Sequence, residues 1–147
     1  MTDDRTAIMA TVDAIFDTVD AKDWDATRRL FTDEVDVDFT SLAGGVPARI
    51  TVDQLVGGWI AGLHPRKQSW HLVGHYRVRV EGDTAVVHTK GYAWNRLDEE
   101  LGGGMWEVWG TYELPFTRTP DGWKASGFVF NAQATRGDDA VRTHALG

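Results

Sequence analysis

The sequence predicts an α+β fold, with N-terminal helices packed in the concave face of a curved, mostly antiparallel sheet. Three observations carry this reading. Apolar residues follow helical spacing in the segments before Pro65, the period falls to two beyond it, and the runs that follow are separated by short turn-forming clusters. Helices first and strands afterwards is the order of an α+β chain. A length of 147 residues, 42% of them hydrophobic, fits one globular domain, expected over residues 1–135 with 136–147 as a tail or lid.

Residues 4–20 put Ile8, Val12, Ile15, Phe16 and Val19 on one stripe of an amphipathic helix. Asp23 is suited to cap a second, short helix from Trp24 to Phe31, with Leu30 and Phe31 turned inward. Residues 34–41 alternate, with Val35, Val37 and Phe39 on one face of a half-buried strand. Gly44, Gly45 and Pro47 mark a loop. Thr51 and Gln54 then form a capping box for a third helix, whose buried face is Val52, Leu55, Val56, Trp59, Ile60 and Leu63, and which ends at His64-Pro65. Strand-like runs follow at 69–80, 84–95, 105–117 and 123–134. Glu81-Gly82-Asp83, Gly102-Gly103-Gly104 and Pro120-Asp121-Gly122 separate them, which predicts antiparallel hairpins. A sheet bent around helices leaves a hollow in which a small ligand fits.

The composition removes several function classes. Without cysteine there is no disulfide, no thiol nucleophile and no thiolate metal site. A net charge of −7 with scattered basic residues argues against a nucleic-acid partner. No apolar run approaches the ~18 residues of a membrane span, so no membrane partner is expected. The acidic start, Met1 to Arg5, leads directly into a helical pattern and does not read as a signal peptide, so the expected location is cytoplasmic. No Rossmann fingerprint or phosphate loop is present, so no cofactor is expected. The glycine run at 102–104 does not join a strand to a helix, and Ser41, Ser69 and Ser126 lack a nucleophile-elbow context. The Trp residues at 59, 70, 94, 106, 109 and 123 suit a core, an interface or a pocket wall.

Two residues break the pattern around them. Asp20 stands four positions after Phe16, at the edge of the apolar stripe and at a helix C-terminus, where the macrodipole disfavours a negative charge. The plainer reading is a solvated helix end, but Asp23 already serves as the cap. His71 lies on the face of its strand opposite Trp70 and Leu72. It suits either a structural histidine bonded to a carbonyl or, beside a carboxylate, a general base at neutral pH. His75 has the same parity, but four strand residues span roughly 13 Å, too far for adjacent metal ligands. No third ligand is evident, so no metal is expected. His64, His88 and His144 carry no assigned role.

The order of elements resembles the nuclear-transport-factor-2-like superfamily, a cone-shaped, cystatin-like fold. More closely it resembles the branch of SnoaL-like proteins, scytalone dehydratase and lindane dehydrochlorinase. The resemblance rests on Asp20-Ala21-Lys22-Asp23-Trp24-Asp25 with Phe31, Asp33 and the strand through Phe39, and on Trp70-His71-Leu72-Val73-Gly74. The turns Gly82-Asp83-Thr84-Ala85 and Asp121-Gly122-Trp123-Lys124 add to it. It implies that His71 removes a proton beside a leaving group and that Asp20 orients and stabilises it. The chain departs from the dehydratase where Val19 and Phe39 replace tyrosines, Asn95 replaces a second histidine, and Thr111 and Glu113 replace Ser and Asn, which argues against that enzyme's own reaction.

The expected activity is therefore a cofactor-independent, dehydratase-like lyase reaction on a small apolar cyclic or aromatic molecule. The expected substrate contacts are Phe16, Phe39, Trp59, Val73, Asn95, Thr111, Glu113 and Asn131. A polyketide cyclase or isomerase would begin with the same proton abstraction. A non-catalytic ligand-binding or assembly module, with Asp20 and His71 as a structural pair, is the alternative from another class. A homo-oligomer is expected through an outer sheet face bearing Tyr92, Trp94, Tyr112 and Leu114, a trimer by resemblance to the dehydratase or otherwise a dimer.

Overall fold

Helix α1 (Asp4–Ala21) begins where the Asp3 carboxylate accepts a hydrogen bond from the Thr6 amide and ends where Lys22 turns left-handed at φ 56°. This computed structural model describes residues 3–147, so Met1 and Thr2 of the acidic N-terminal segment lie outside it. Ile8, Val12, Ile15, Phe16 and Val19 form the buried stripe of α1, as the spacing predicts. Asp23 caps α2 (Trp24–Arg28), which is shorter than expected because Phe31 already pairs with Ala125 in the sheet.

Strand β1 (Phe31–Asp38) buries Val35 and Val37. It stops earlier than the alternation suggests, because the Asp38 carboxylate accepts bonds from both the amide and the hydroxyl of Thr40 and turns the chain. Phe39 thus falls just past the strand, ahead of a short helix α3 (Thr40–Ala43). Strand β2 (Ala48–Thr51) pairs antiparallel with β1, so the stretch expected as loop supplies two small elements around its glycines. Thr51 and Gln54 complete both arms of the capping box on α4 (Val52–Gly62), which packs on α2, β1 and β2. Leu55 and Val56 are buried, but Ile60, on the flank of the stripe, is 39% exposed.

Four long strands follow: β3 (Lys67–Glu81), β4 (Thr84–Leu97), β5 (Met105–Thr119) and β6 (Gly122–Gly137). They form consecutive antiparallel hairpins, and β6 then pairs parallel with β1, giving the order β2-β1-β6-β5-β4-β3. The sheet is therefore mixed but mostly antiparallel. Ile8, Val12, Ile15 and Phe16 of the α1 stripe pack with Val87, Ala93, Val108, Leu114, Phe116 and Phe128 in one hydrophobic core. A bulge in β3 between Gly74 and Arg77 moves the half-buried set from Ser69, His71 and Val73 to Tyr76 and Val78. His75 sits in that bulge at φ 60° and is exposed, so it does not share the side of His71.

Register across β4 and β5 corrects the expected outer face. Thr89 opposes Tyr112 and Val87 opposes Leu114, and directly opposed residues share a face. Tyr112 and Leu114 are accordingly buried, at 6% and 0% exposure, whereas Tyr92 and Trp94 lie on the outside. The polar C-terminal stretch forms a helix, α5 (Asp139–Thr143), with Val141 buried. It is clamped to α4 through the almost fully buried Lys67, whose ammonium donates to the carbonyls of Gly62 and Arg142, both at 2.9 Å. A cation at the C-terminal carbonyls of α4 also complements its dipole. His64 and His144 add a ring-nitrogen hydrogen bond of 2.9 Å across the same junction.

Candidate active site

The last turn of α1 delivers the Asp20 carboxylate to β3, where three donors of one strand meet it. Oδ1 accepts from the Ser69 hydroxyl and from Nδ1 of His71, and Oδ2 accepts from the His71 amide, each at 2.7 Å. Strand parity explains the convergence, because Ser69 and His71 are two positions apart and share a face. Burial pushes the Asp20 carboxyl up. The hydrogen bond and charge of the His71 ring, with the Ser69 hydroxyl and the His71 amide, outweigh it and hold the group below the usual aspartate value.

An ionised carboxylate only accepts, so Nδ1 of His71 must carry the proton in the neutral ring. That leaves Nε2 with a free lone pair, and among the described residues it has no hydrogen-bond partner. The ring is tilted against Phe16 with centroids 5.2 Å apart, and it borders an open-mouthed cavity of about 490 Å³ lined by α1, α3, α4, α5 and the sheet. A polar pair thus opens on a space of ligand size with mostly apolar walls.

Of the expected contacts, Phe16, Phe39, Trp59 and Asn95 line this cavity with His71. Val73 packs against the core without reaching the cavity wall. Thr111, Glu113 and Asn131 do not line it. Thr111 and Glu113 alternate with the buried Gly110, Tyr112 and Leu114 and so face outward, and Asn131 opposes Thr111 and is exposed. Glu113 lies 3.6 Å from His88 on that outer face. Among the described residues no group of three or more His, Asp or Glu side chains is placed to hold a metal ion.

A sequence profile of the SnoaL-like domain matches residues 1–129. The chain belongs to the SnoaL-like family. An uncharacterized protein of Mycobacterium tuberculosis is 28% identical over 123 residues, 72% of this chain and 69% of that one. A solved protein of Kribbella flavida superposes with a TM-score of 0.86 at 27% identity, covering 90% of this SnoaL-like chain and 93% of the other. A candidate scytalone dehydratase of Novosphingobium aromaticivorans gives a TM-score of 0.75 at 17% identity, covering 95% and 87% of the two chains. A hexachlorocyclohexane dehydrochlorinase gives 0.71 at 16% identity, covering 97% and 94%. At such identities the last two show the shared cone fold alone.

Several cavity residues of this SnoaL-like domain escape a reading of the sequence. Tyr112 projects inward beside Phe16, with ring centroids 4.9 Å apart, over Gly91, where any Cβ would collide with the phenol ring. Burial, and then the charge of Asp20, pushes the Tyr112 phenol well up, so it stays neutral and able to donate. Arg142 of α5 also reaches the cavity, beside Trp106, one of the Trp residues that the sequence offers for a core, an interface or a pocket wall. Tyr112 was legible from pairing β4 with β5 before assigning faces, whereas Arg142 stands in a tail with no periodic signal.

The sign of the Asp20 shift sets a pH dependence for stability. An unfolded aspartate titrates near 3.9, and the folded group titrates lower, so the unfolded chain binds more protons between the two values. The stabilisation is complete above the unfolded pKa and is lost as pH falls through the folded one. In denaturant titrations, Asp20→Asn should be less stable than wild type by about 1.5–3 kcal/mol at pH 7, a gap that narrows steadily below about pH 5. An equal gap at pH 7 and pH 3 would contradict this assignment.

Proposed function

We propose that this domain is a cofactor-independent lyase of dehydratase type, acting on a small apolar cyclic or aromatic molecule with His71 as its base. The observation that carries the reading is the Nδ1-tethered ring of His71 at the wall of an apolar cavity of about 490 Å³. Nε2 takes a proton from carbon next to an activating group, and Asp20 stabilises the imidazolium that forms. The C–H electron pair becomes the new double bond as the leaving group departs with its own pair. A departing hydroxide takes the proton back from Nε2, so the balance is loss of water. Reprotonation at another carbon would give isomerisation instead, and attack on a carbonyl would give cyclisation. The Tyr112 phenol, neutral and at the cavity wall, is a donor available to a developing enolate oxygen. The dehydratase and dehydrochlorinase folds among the similar structures are consistent with elimination chemistry in such a cone. A cavity left open beside His71, rather than filled by Trp side chains, favours this reading over a structural pair in a binding module.

Exchange of the α-protons of 2-tetralone in deuterated buffer, followed by NMR, tests the base directly. His71→Gln should lower the protein-catalysed rate by about 10²-fold or more. A variant that exchanges at the wild-type rate would defeat the reading.

We also propose that the outer sheet face joins copies of this chain. Trp70 and Leu72 on the free edge strand β3 are 56% and 62% exposed. Trp94 lies 6.2 Å from Trp70, and Trp109 lies 5.3 Å from Tyr92, ring centroid to ring centroid, so the patch runs across three strands. A continuous aromatic face of this kind marks an interaction site. Light scattering should give a dimer or trimer of the 16.3 kDa chain, reduced to a monomer by Trp70→Glu with Leu72→Glu. A wild-type monomer at micromolar concentration would overturn the assembly.

A further inference from the structure

The cavity wall that holds His71 also holds hydrogen-bond donors that the proton-transfer chemistry leaves unused. Trp106 Nε1 and Arg142 Nε are buried and have no hydrogen-bond partner among the described residues. Asp139, largely exposed, forms an ion pair with Arg142 at 3.9 Å from Nε, too long for a hydrogen bond, so the buried donor stays unfilled. The Arg142 guanidinium lies over the Trp106 indole at 5.7 Å from the ring centroid. Asn95 is directly opposite Trp106 in the β4–β5 register, and its buried side chain borders the same space. Buried donors without partners are rare in folded proteins and point to a ligand or solvent that completes them.

The chemistry of these groups specifies what completes them. A guanidinium and an indole can only donate, and a carboxamide donates through its NH₂ group. Among the residues lining the cavity, Arg142 is the one with a permanent charge, in a chain whose net charge is −7. The planar edge of a guanidinium matches the two oxygens of a carboxylate, and one guanidinium balances one negative charge. The rest of the wall is aromatic and aliphatic, with Phe16, Phe39, Trp59 and Phe128 among its members.

We propose that Arg142, Trp106 and Asn95 form a carboxylate subsite, so that the ligand of this cavity is a hydrophobic, aromatic or alicyclic carboxylic acid. This deepens the base reading and rests on it for the position of the reacting carbon. His71 opposes Ala93, two residues before Asn95 on β4, which places the subsite roughly 7 Å along the strand from the base. The carboxylate anchors one end of the skeleton, and a carbon about one ring's width away meets Nε2. Because Arg142 belongs to α5, the segment expected as a tail or lid supplies a binding residue as well as cover.

Calorimetric titration of the full chain at pH 7.5 with 2-naphthoate and with its neutral isostere 2-acetonaphthone tests the subsite. The naphthoate should bind at least tenfold more tightly. Arg142→Gln should bring it down to the affinity of the ketone, Arg142→Lys should restore part of the preference, and Trp106→Phe should weaken it less. Equal affinity of the two probes for wild type would overturn the proposal, as would a preference that survives Arg142→Gln. Should Arg142→Gln fail to fold, the wild-type ratio and Trp106→Phe still decide. The subsite and the base fail separately. Absence of a naphthoate preference beside His71-dependent exchange removes the subsite alone. A preference that follows Arg142, with exchange indifferent to His71, upholds the subsite and removes the base.

Discussion

The Asp20 carboxylate, received by three donors of β3, is the constraint on which the rest of the site depends. It spans the junction between the end of α1 and the first third of the sheet's free-edge strand. A negative charge at a helix C-terminus, partly withdrawn from water, is unfavourable by dipole and by desolvation. The donors of Ser69 and His71 reverse that balance, and so tie the depth of α1 in the cone to one register of β3. The same bond selects the tautomer of His71. A docking contact and a chemical setting are therefore one interaction, and neither changes without the other.

The hollow beside this pair follows from how the surrounding elements are held apart. The stripe of α1 fills the sheet toward Leu114 and Phe116, while α3, α4 and α5 close the other end without filling it. Aromatic rings form the walls: Phe16, Tyr112, Phe128 and Phe130 contact one another edge-on or tilted at 4.7–6.0 Å between centroids. Lys67 ties α5 to the end of α4 through one backbone carbonyl of each.

Much of this was legible because Asp20 and His71 violate their local patterns. A carboxylate at the rim of an apolar stripe and a histidine on the inner side of a strand both need a partner, and each proved to be the other's. Parity along one strand, without its neighbour, does not fix which face is inward. Pairing Thr89 with Tyr112 brings the tyrosine inside and sends Thr111, Glu113 and Asn131 out of the cavity. The bulge at Gly74–Arg77 carries no strong sequence signal, yet it turns His75 away from His71. The positions of Lys67 and Arg142 give no sequence signal, because Lys67 reaches α5 only through long-range contacts and Arg142 lies on α5 itself, a helix too short and polar to show periodicity. The SnoaL-like family supplies the cone, and the particular chemistry lies in which few polar groups face its interior.

The hydrogen bond to Asp20 holds Nδ1 of His71 as a donor, so the neutral ring carries its proton there and leaves the Nε2 lone pair free. Nitrogen-15 NMR of the imidazole ring at neutral pH reads this state directly. A spectrum with pyrrole-type Nδ1 and pyridine-type Nε2, shifting toward the averaged pattern of a free histidine in Asp20→Asn, is the predicted result. A wild-type ring with its proton on Nε2, or a spectrum unchanged by Asp20→Asn, would show that Asp20 does not set the tautomer of His71.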